Sequence, residues 1–217
     1  MKNINIMVMG KTGAGKSTLI NAVLEEEMAP TGKVQAVTNR NEIYVKRMMI
    51  PVKNNGKGKC SMMDCRLNMY DTVGLEIDNS ITKQTLEEIR IYIENTKAKM
   101  SEDDIHLVWF CVNNRSSRFE AYELELIREL SINYEIPFVI VLTQCFSDVE
   151  GELEAQIRNN LKEVSRRRVL ARDYSTRGGV IPAYGVKDLL RTSINDYKSL
   201  KVRIIEQKLF ELDENRK

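Results

Sequence analysis

The sequence predicts a three-layer α/β domain whose sheet is mainly parallel, with one antiparallel strand at its edge. Short apolar runs alternate with segments of helical periodicity, which is the pattern of parallel strands joined by crossover helices. One pair of strand-like runs is instead separated by a turn-rich linker that is too short for a crossover helix. The length of 217 residues and the hydrophobic content of 42% suit one compact domain of this kind.

The first predicted strand, Ile4 to Met9, is a short apolar run that leads directly into a glycine-rich loop. The runs Glu42 to Val52 and Cys60 to Tyr70 flank the linker, so they are predicted to pair as an antiparallel hairpin. Near-continuous apolar runs are expected of strands that are covered on both faces. Such runs predict the remaining strands at Ile105 to Val112, Pro137 to Thr143 and, in a shorter stretch, Val180 to Ala183.

Five segments with helical periodicity are predicted to connect and follow these strands. They are Lys16 to Glu26, Thr82 to Lys99, Phe119 to Asn133, Glu150 to Val169 and Lys187 to Leu212. The last segment contains Asn195-Asp196 and runs into a charged tail. We therefore divide the chain into a domain of residues 1–194 and a C-terminal helical extension of residues 195–217.

Composition excludes several classes of function. The 33 Lys and Arg residues nearly balance the 31 Asp and Glu residues, so the formal net charge of +2 indicates no nucleic-acid surface. Even the cluster Arg166 to Arg168 is interpreted as the cationic end of a helix. No run approaches the roughly 18 apolar residues of a membrane span. The cysteines show no disulfide framework, and Cys111 and Cys145 lie in apolar runs, which favours a reducing, cytoplasmic location.

The segment Gly10 to Thr18 fits the pattern G-x-x-x-x-G-K-[ST] between a predicted strand and a predicted helix. Its glycines let the backbone turn successive N–H groups inward at a helix N-terminus, where anions bind. Lys16 is expected to reach the β- and γ-phosphates of a nucleotide, and the Ser17 hydroxyl to bind Mg²⁺. The residues assigned to this phosphate loop are Gly10, Thr12, Gly13, Ala14, Gly15, Lys16, Ser17 and Thr18.

A second motif, Asp71 to Gly74, stands at the end of the third predicted strand. Asp71 is placed to hold Mg²⁺ through water, and the Gly74 N–H to face the γ-phosphate. Between the two motifs, the Thr38 hydroxyl is expected to complete the metal shell when a γ-phosphate is present, and Thr31 is the alternative.

These motifs, in this order, resemble those of the GTPases of the translation-factor-related class. The wording of the phosphate loop is most similar to the Era-like, septin-like and immunity-associated branches, and the resemblance covers nearly the whole chain. It implies a P-loop G domain that binds GTP and GDP with Mg²⁺, hydrolyses GTP and acts as a nucleotide-dependent switch. The implied catalytic residues are Lys16, Thr38 and Gly74, and the implied metal-binding residues are Ser17, Thr38 and Asp71.

The resemblance also implies a base-reading segment at Thr143-Gln144, after the fifth core strand. Phe146 stands where the family has the aspartate that reads guanine. Either a bulged loop brings Asp148 to the base, or Phe146 and backbone groups form a looser pocket. A later segment resembles the family's last motif, in which the amide near Ala183 meets the guanine O6 and Tyr184 stacks on the base.

The resemblance further bears on the hydrolysis rate, because Leu75 replaces the glutamine that positions water in Ras-like members. Slow intrinsic hydrolysis is expected, completed by a homodimer across the nucleotide face or by an activating protein partner. Arg40, Arg115 or Arg118 is a candidate to act in trans. Two alternatives stay open: a P-loop ATPase or mixed-nucleotide binder, suggested by Phe146, and a non-hydrolysing nucleotide-gated interaction module, suggested by Leu75.

Overall fold

The computed structural model of the chain describes residues 2–31, 41–53, 60–75, 79–98, 104–116, 119–147, 149–195 and 197. Six strands of the described chain form one sheet. They are β1 (Lys2–Gly10), β2 (Glu42–Lys53), β3 (Cys60–Asp71), β4 (Leu107–Asn113), β5 (Phe138–Thr143) and β6 (Ser165–Arg168). Their order across the sheet is β2-β3-β1-β4-β5-β6.

Every neighbouring pair in this sheet runs parallel except β2 and β3. The hairpin pairs without interruption from Glu42 opposite Asp71 to Lys53 opposite Cys60. The predicted fold class, including the antiparallel strand at the sheet edge, is therefore confirmed. A separate two-stranded hairpin is formed by β7 (Tyr174–Thr176) and β8 (Gly179–Ile181).

Helices cover both faces of the sheet. They are α1 (Lys16–Leu24), α2 (Asn79–Ala98), α3 (Ala121–Tyr134), α4 (Glu152–Asn160) and α5, at residues 186–195. Alternate residues of β1 enter two different cores: Ile6 and Val8 pack on the side of α1, whereas Met7 and Met9 pack on the side of α2 and α3. This double coverage explains why the central strands are apolar without interruption. No described helix is long and apolar enough to cross a membrane.

Two predicted elements were wrong. The helix predicted at Glu150 to Val169 ends at Asn160, and Arg166 to Arg168 belong to the edge strand β6, which pairs in parallel with β5. Arginines are tolerated there because one side of an edge strand is open. Arg168 also forms a 2.6 Å ion pair with Glu154.

The strand predicted at Val180 to Ala183 is the second error, because this segment is not a strand of the main sheet. Residues Gly179–Ile181 form β8, which pairs only with β7 among the described strands. Both strands of this hairpin are largely exposed, so they do not belong to the core. The sixth strand of the main sheet is β6 instead.

Helix α5 packs on the same core as α1. Leu189 is fully buried, and the Trp109 indole N–H donates a 2.9 Å hydrogen bond to the Ser193 hydroxyl. Beyond Asn195 the structure describes only Tyr197, so most of the predicted extension of residues 195–217 lies outside the described residues. The boundary at residue 194 stays a prediction.

Candidate active site

The phosphate loop follows directly from β1. Gly10 has a φ of 137°, and a Cβ at this position would lie 2.2 Å from the carbonyl oxygen of Cys111 on β4. No other residue type fits that contact without moving one of the two strands. Gly13 and Gly15 also have positive φ angles, and Gly15 is the residue before α1. The glycines thus shape a tight curl at a helix N-terminus, as predicted from the motif.

The Lys16 ammonium group is held inside this curl. Its Nζ donates hydrogen bonds to the carbonyl oxygens of Gly10 at 3.0 Å and Lys11 at 3.2 Å. Lys16 is only 7% exposed. A buried cation at the N-terminus of a helix is suited to bind the phosphates of a nucleotide.

Two oxygen-bearing side chains meet next to the loop. The Ser17 hydroxyl donates a 2.9 Å hydrogen bond to Oδ2 of Asp71, whose side chain is fully buried at the end of β3. Because β3 is parallel to β1, with Val8 opposite Asp71, the ends of the two strands lie together. A hydroxyl and a carboxylate are the hard oxygen ligands that Mg²⁺ prefers, so this donor pair fits the predicted metal.

The segment after Asp71 is pressed against the phosphate loop. A Cβ on Gly74 would lie 2.1 Å from Thr12 Oγ1 and 2.8 Å from the Thr12 backbone nitrogen. The next residue, Leu75, donates its N–H to the carbonyl of Gly10 at 3.1 Å, while its side chain is buried in the core that includes α2 and α3. The Leu75 side chain therefore faces the core and not the phosphate loop.

A partly buried ion pair that the sequence analysis missed joins the phosphate loop to α3. The Lys11 Nζ lies 2.9 Å from Oε2 of Glu123, which is 2% exposed, and 5.5 Å from the centre of the Tyr122 ring. Glu120 and Glu123 form a capping box at the start of α3, which fixes the Glu123 carboxylate. The only local sequence signal was the E-x-x-E spacing of Glu120 and Glu123, which indicates the start of a helix. It does not indicate that Glu123 pairs with Lys11.

The end of β5 is also tied to the loop. The Thr143 hydroxyl donates a 2.7 Å hydrogen bond to the Ala14 carbonyl. Gln144 then adopts a left-handed backbone with a φ of 54°, and the buried Cys145 donates its N–H to Val169 at 3.3 Å. The predicted base-reading segment is thus placed beside the phosphate loop by direct contacts.

Two buried cysteines, Cys111 and Cys145, flank this region, and burial is the main cause of the raised pKa of each thiol. It raises the pKa of the Cys145 thiol to about 11 and that of the Cys111 thiol to about 12. Both thiols are essentially inaccessible, as expected of small buried hydrophobes. Neither is suited to act as a nucleophile, so the chemistry of the site falls to its oxygen and nitrogen groups.

The correction to β6 changes which loop follows the last parallel strand. β6 ends at Arg168, and Val169 donates its N–H to Leu142 at 2.8 Å, so the loop of residues 169–173 begins beside the end of β5. Ligands bind in open α/β sheets at the carboxyl ends of such strands. The sequence signal for this loop was the apolar stretch that follows the three arginines. It was weak, because the arginines and the residues before them had been predicted to form a helix.

Ala183 and Tyr184, which the sequence assigned to the base, follow the β7–β8 hairpin. The Ala183 N–H donates a 2.7 Å hydrogen bond to Oδ1 of Asp173, so that amide is engaged within the chain. Tyr184 exchanges backbone hydrogen bonds with Leu170 in both directions. This bridge brings both residues back to the loop that follows β6.

Some of the predicted site residues lie outside the part of the chain that the structure describes, and others lie in its loops. Thr38, Asp148, Arg40 and Arg118 are outside the described residues. The alternative metal ligand Thr31 is exposed. Arg115 is described in the turn after β4, where its N–H is accepted by the Asn113 side chain at 2.9 Å.

Comparisons with known proteins agree on the class of domain. The model of the family described as 50S ribosome-binding GTPase matches residues 5–144. GTPase Era of Campylobacter jejuni is 27% identical over 144 residues, covering 66% of this chain and 40% of that protein. The tRNA modification GTPase MnmE of Phocaeicola vulgatus is 22% identical over 212 residues, covering 91% of this chain and 37% of that protein. The chain therefore spans about two fifths of the length of these relatives.

Solved structures share the fold at low sequence identity. A dimerization-deficient mutant of Toc33 from Arabidopsis thaliana is 16% identical with a TM-score of 0.58, over 91% of this chain and 84% of that one. The septin GTPase domain of Chlamydomonas reinhardtii is 15% identical with a TM-score of 0.58, over 95% and 98%. Aquifex aeolicus Era bound to GDP and AlF4⁻ is 16% identical with a TM-score of 0.59, over 91% and 57%.

Proposed function

We propose that the chain, which belongs to the 50S ribosome-binding GTPase family, binds and hydrolyses GTP and acts as a nucleotide-dependent switch whose intrinsic hydrolysis is slow. The observation that supports this most directly is the meeting of the Ser17 hydroxyl, the Asp71 carboxylate and the buried Lys16 ammonium at one end of the sheet. Those groups suit a nucleoside triphosphate that is bound together with Mg²⁺.

We assign the steps of hydrolysis to residues of this chain. The Lys16 ammonium and the loop amides stabilise charge on the phosphates. Ser17, Asp71 and Thr38 would hold Mg²⁺, which when bound would neutralise charge on phosphate oxygens. The Gly74 amide is assigned to the γ-phosphate. A water oxygen attacks the γ-phosphorus, the bond from that phosphorus to the bridging oxygen breaks, and GDP and phosphate leave.

The base is assigned to the end of β5 and the loops beside it. Thr143 and Gln144 line this region, and Ala183 and Tyr184 return to it through the bridge to Leu170. Base selectivity depends on which of two groups meets the edge of the purine: the Asp148 carboxylate, or Phe146 with the backbone groups around it.

Slow hydrolysis follows from the position of Leu75. Its side chain is 1% exposed within the core, so this position offers the attacking water no hydrogen-bonding group. We propose that a second copy across the nucleotide face, or an activating protein partner, supplies the missing group. The fold is shared with Toc33, for which dimerization is described as important for GTPase activity, and Arg115 lies in the turn after the parallel strand β4, next to Asn113.

A cytoplasmic location is proposed on chemical grounds. Three described cysteines, Cys65, Cys111 and Cys145, are buried and form no disulfide bond. Free thiols persist where the compartment is reducing.

Single-turnover hydrolysis of GTP tests the proposal. We expect slow phosphate release that requires Mg²⁺, is abolished by Ser17→Ala and rises with protein concentration if the activating partner is a second copy. A rate that does not depend on concentration would favour a separate activating protein. Folded, purified protein that binds no GTP when Mg²⁺ is supplied would contradict the proposal as a whole.

A further inference from the structure

Two aromatic side chains pack together beside the predicted base site. The Phe146 and Tyr174 ring centres are 4.4 Å apart, and the ring planes are inclined by 43°. Phe146 follows β5, whereas Tyr174 begins β7 in the hairpin inserted after β6. Tyr174 is 43% exposed, so the pair offers an aromatic surface that the protein itself leaves partly uncovered.

The position of this pair is set by the same contacts that organise the phosphate loop. Thr143 is bonded to Ala14 of the loop, and Cys145 is bonded to Val169, which follows β6. β5 and β6 are parallel, so the chain leaves both strands at the same end of the sheet. A nucleotide whose phosphates occupy the loop can therefore extend its base along this end of the sheet, towards the place where Phe146 and Tyr174 meet.

The chemistry of the described residues at this end favours stacking over hydrogen-bond reading of guanine. Position 146 carries a phenyl ring, which accepts no hydrogen bond from the guanine N1 and N2 groups. The carboxylate of Asp173, next to Tyr174 in the chain, accepts the Ala183 N–H through Oδ1, which ties it to the far end of the hairpin. Every purine presents a π-face, so an aromatic surface binds guanine, hypoxanthine and adenine with similar strength.

The hairpin that carries Tyr174 is anchored at its base and open at its tip. The double hydrogen bond between Leu170 and Tyr184 and the bond from Ala183 to Asp173 close its two ends. Its outer residues are exposed, including Val180 at 61%. This construction fixes where Tyr174 stands without burying its ring in the core.

Building on the proposed function, we infer that Phe146 and Tyr174 form the wall on which the purine base stacks, and that the chain accepts ITP and ATP alongside GTP. Selectivity among the three triphosphates is then low, since the base contributes through its ring face. The phosphate loop and Mg²⁺ supply most of the affinity.

Calorimetric titration with GTP, ATP and inorganic tripolyphosphate, each with Mg²⁺, tests this inference. The wild-type chain should bind GTP and ATP within about tenfold of each other, because stacking tolerates any base. Phe146→Ala and Tyr174→Ala should each weaken both nucleotides by about tenfold, in line with the loss of one base–aromatic contact. Tripolyphosphate has no base, so its affinity should not respond. A merely structural role for the rings would instead weaken all three ligands together.

Matched variants separate the ring from the hairpin. Tyr174→Phe keeps the ring and should bind GTP several-fold more tightly than Tyr174→Ala. Val180→Ala removes an exposed side chain from the same hairpin and should leave the affinity for GTP unchanged. Phe146→Asp restores the carboxylate of the family motif, and it should raise the preference for GTP over ATP.

Two results would overturn the inference while the proposed function stands. One is a wild-type preference for GTP over ATP of about a hundredfold or more that is lost in Asp148→Ala, because a base-reading carboxylate gives strong rejection of the wrong base. The other is GTP binding that neither Phe146→Ala nor Tyr174→Ala weakens. If the folded chain binds none of the three ligands, the proposed function fails and the inference fails with it.

Discussion

Replacement of Gly74 by alanine is the sharpest test of how the site is assembled. The new methyl group would lie 2.1 Å from Thr12 Oγ1 and 2.8 Å from both the Cα and the backbone nitrogen of Thr12. Rotation of the Thr12 side chain relieves the first contact only. The backbone contacts remain about 0.6 Å short of the 3.4 Å at which ordinary van der Waals contact begins.

The segment has little room to relax. Leu75 is bridged to Lys11, and its N–H is bonded to the Gly10 carbonyl at 3.1 Å. Moving Gly74 outward therefore stretches that bond and shifts the buried Leu75 side chain. We expect a loss of about 3 kcal/mol in the free energy of unfolding, at the upper end of the usual range for overpacking. For a chain of this size the melting temperature should fall by about 6–12 °C.

Thermal unfolding and nucleotide titration measure the two consequences. Gly74→Ala should lower the melting temperature as stated, and it should weaken GTP more than GDP, because the Gly74 amide is assigned to the γ-phosphate. Thr12→Ala should not rescue it, since the backbone contacts persist. Gly178→Ala is the matched control: its nearest neighbour is 3.9 Å from the added Cβ, so its effect should stay within about 0.5 kcal/mol.

The reasoning would be refuted by a Gly74→Ala variant that melts within about 2 °C of the wild type, which corresponds to less than about 1 kcal/mol for a chain of this size. Full rescue by Thr12→Ala would refute it more narrowly. It would show that the side-chain contact, and not the contact with the Thr12 backbone, opposes the methyl group.

Further predictions concern buried polar contacts and thiols. Lys11→Met should destabilise the fold by about 1–3 kcal/mol, because it leaves the buried Glu123 carboxylate without its cation. The double variant Lys11→Met/Glu123→Leu should be less destabilised. Chemical denaturation of the two single variants and the double variant measures this difference. Ser193→Ala should cost about 1–3 kcal/mol by depriving the Trp109 indole N–H of its acceptor, and the fluorescence of this single tryptophan reports the unfolding. Burial raises the pKa of Cys111 from 9.0 to about 12, so the free energy of unfolding should decline as pH rises from about 9 to about 12, where the unfolded thiol ionises first, and Cys111→Ala should reduce that slope. Unchanged stability in Lys11→Met or Ser193→Ala, or a slope unaffected by Cys111→Ala, would contradict the corresponding contact or burial.

The sequence alone was sufficient for features whose signals are local. Gly10 to Thr18 is a contiguous motif, and its glycines and lysine at these spacings are characteristic of one loop conformation. The motif therefore predicted the loop that the structure shows. The hairpin of β2 and β3 was predictable because its linker is too short for a helix. The apolar runs of β1, β4 and β5 were readable because strands buried on both faces need apolar side chains in both directions.

The tertiary structure decided what depends on contacts between distant segments. β6 was misread because it is a four-residue edge strand with three arginines, and its pairing with β5 comes from backbone hydrogen bonds that carry no side-chain pattern. That error hid the loop that begins at Val169, directly after β6, whereas the assignment of Ala183 and Tyr184 to the base stays a prediction.

The ion pair of Lys11 with Glu123 and the tilted ring contact of Phe146 with Tyr174 likewise join residues from separate elements. Each side chain alone is an ordinary surface or core residue, and only the folding of the sheet brings the partners within contact distance. Local sequence thus determined the phosphate loop, because its groups are neighbours along the chain. The residues proposed to surround the base were brought together by tertiary structure, because they follow strand ends that meet only after the sheet has formed.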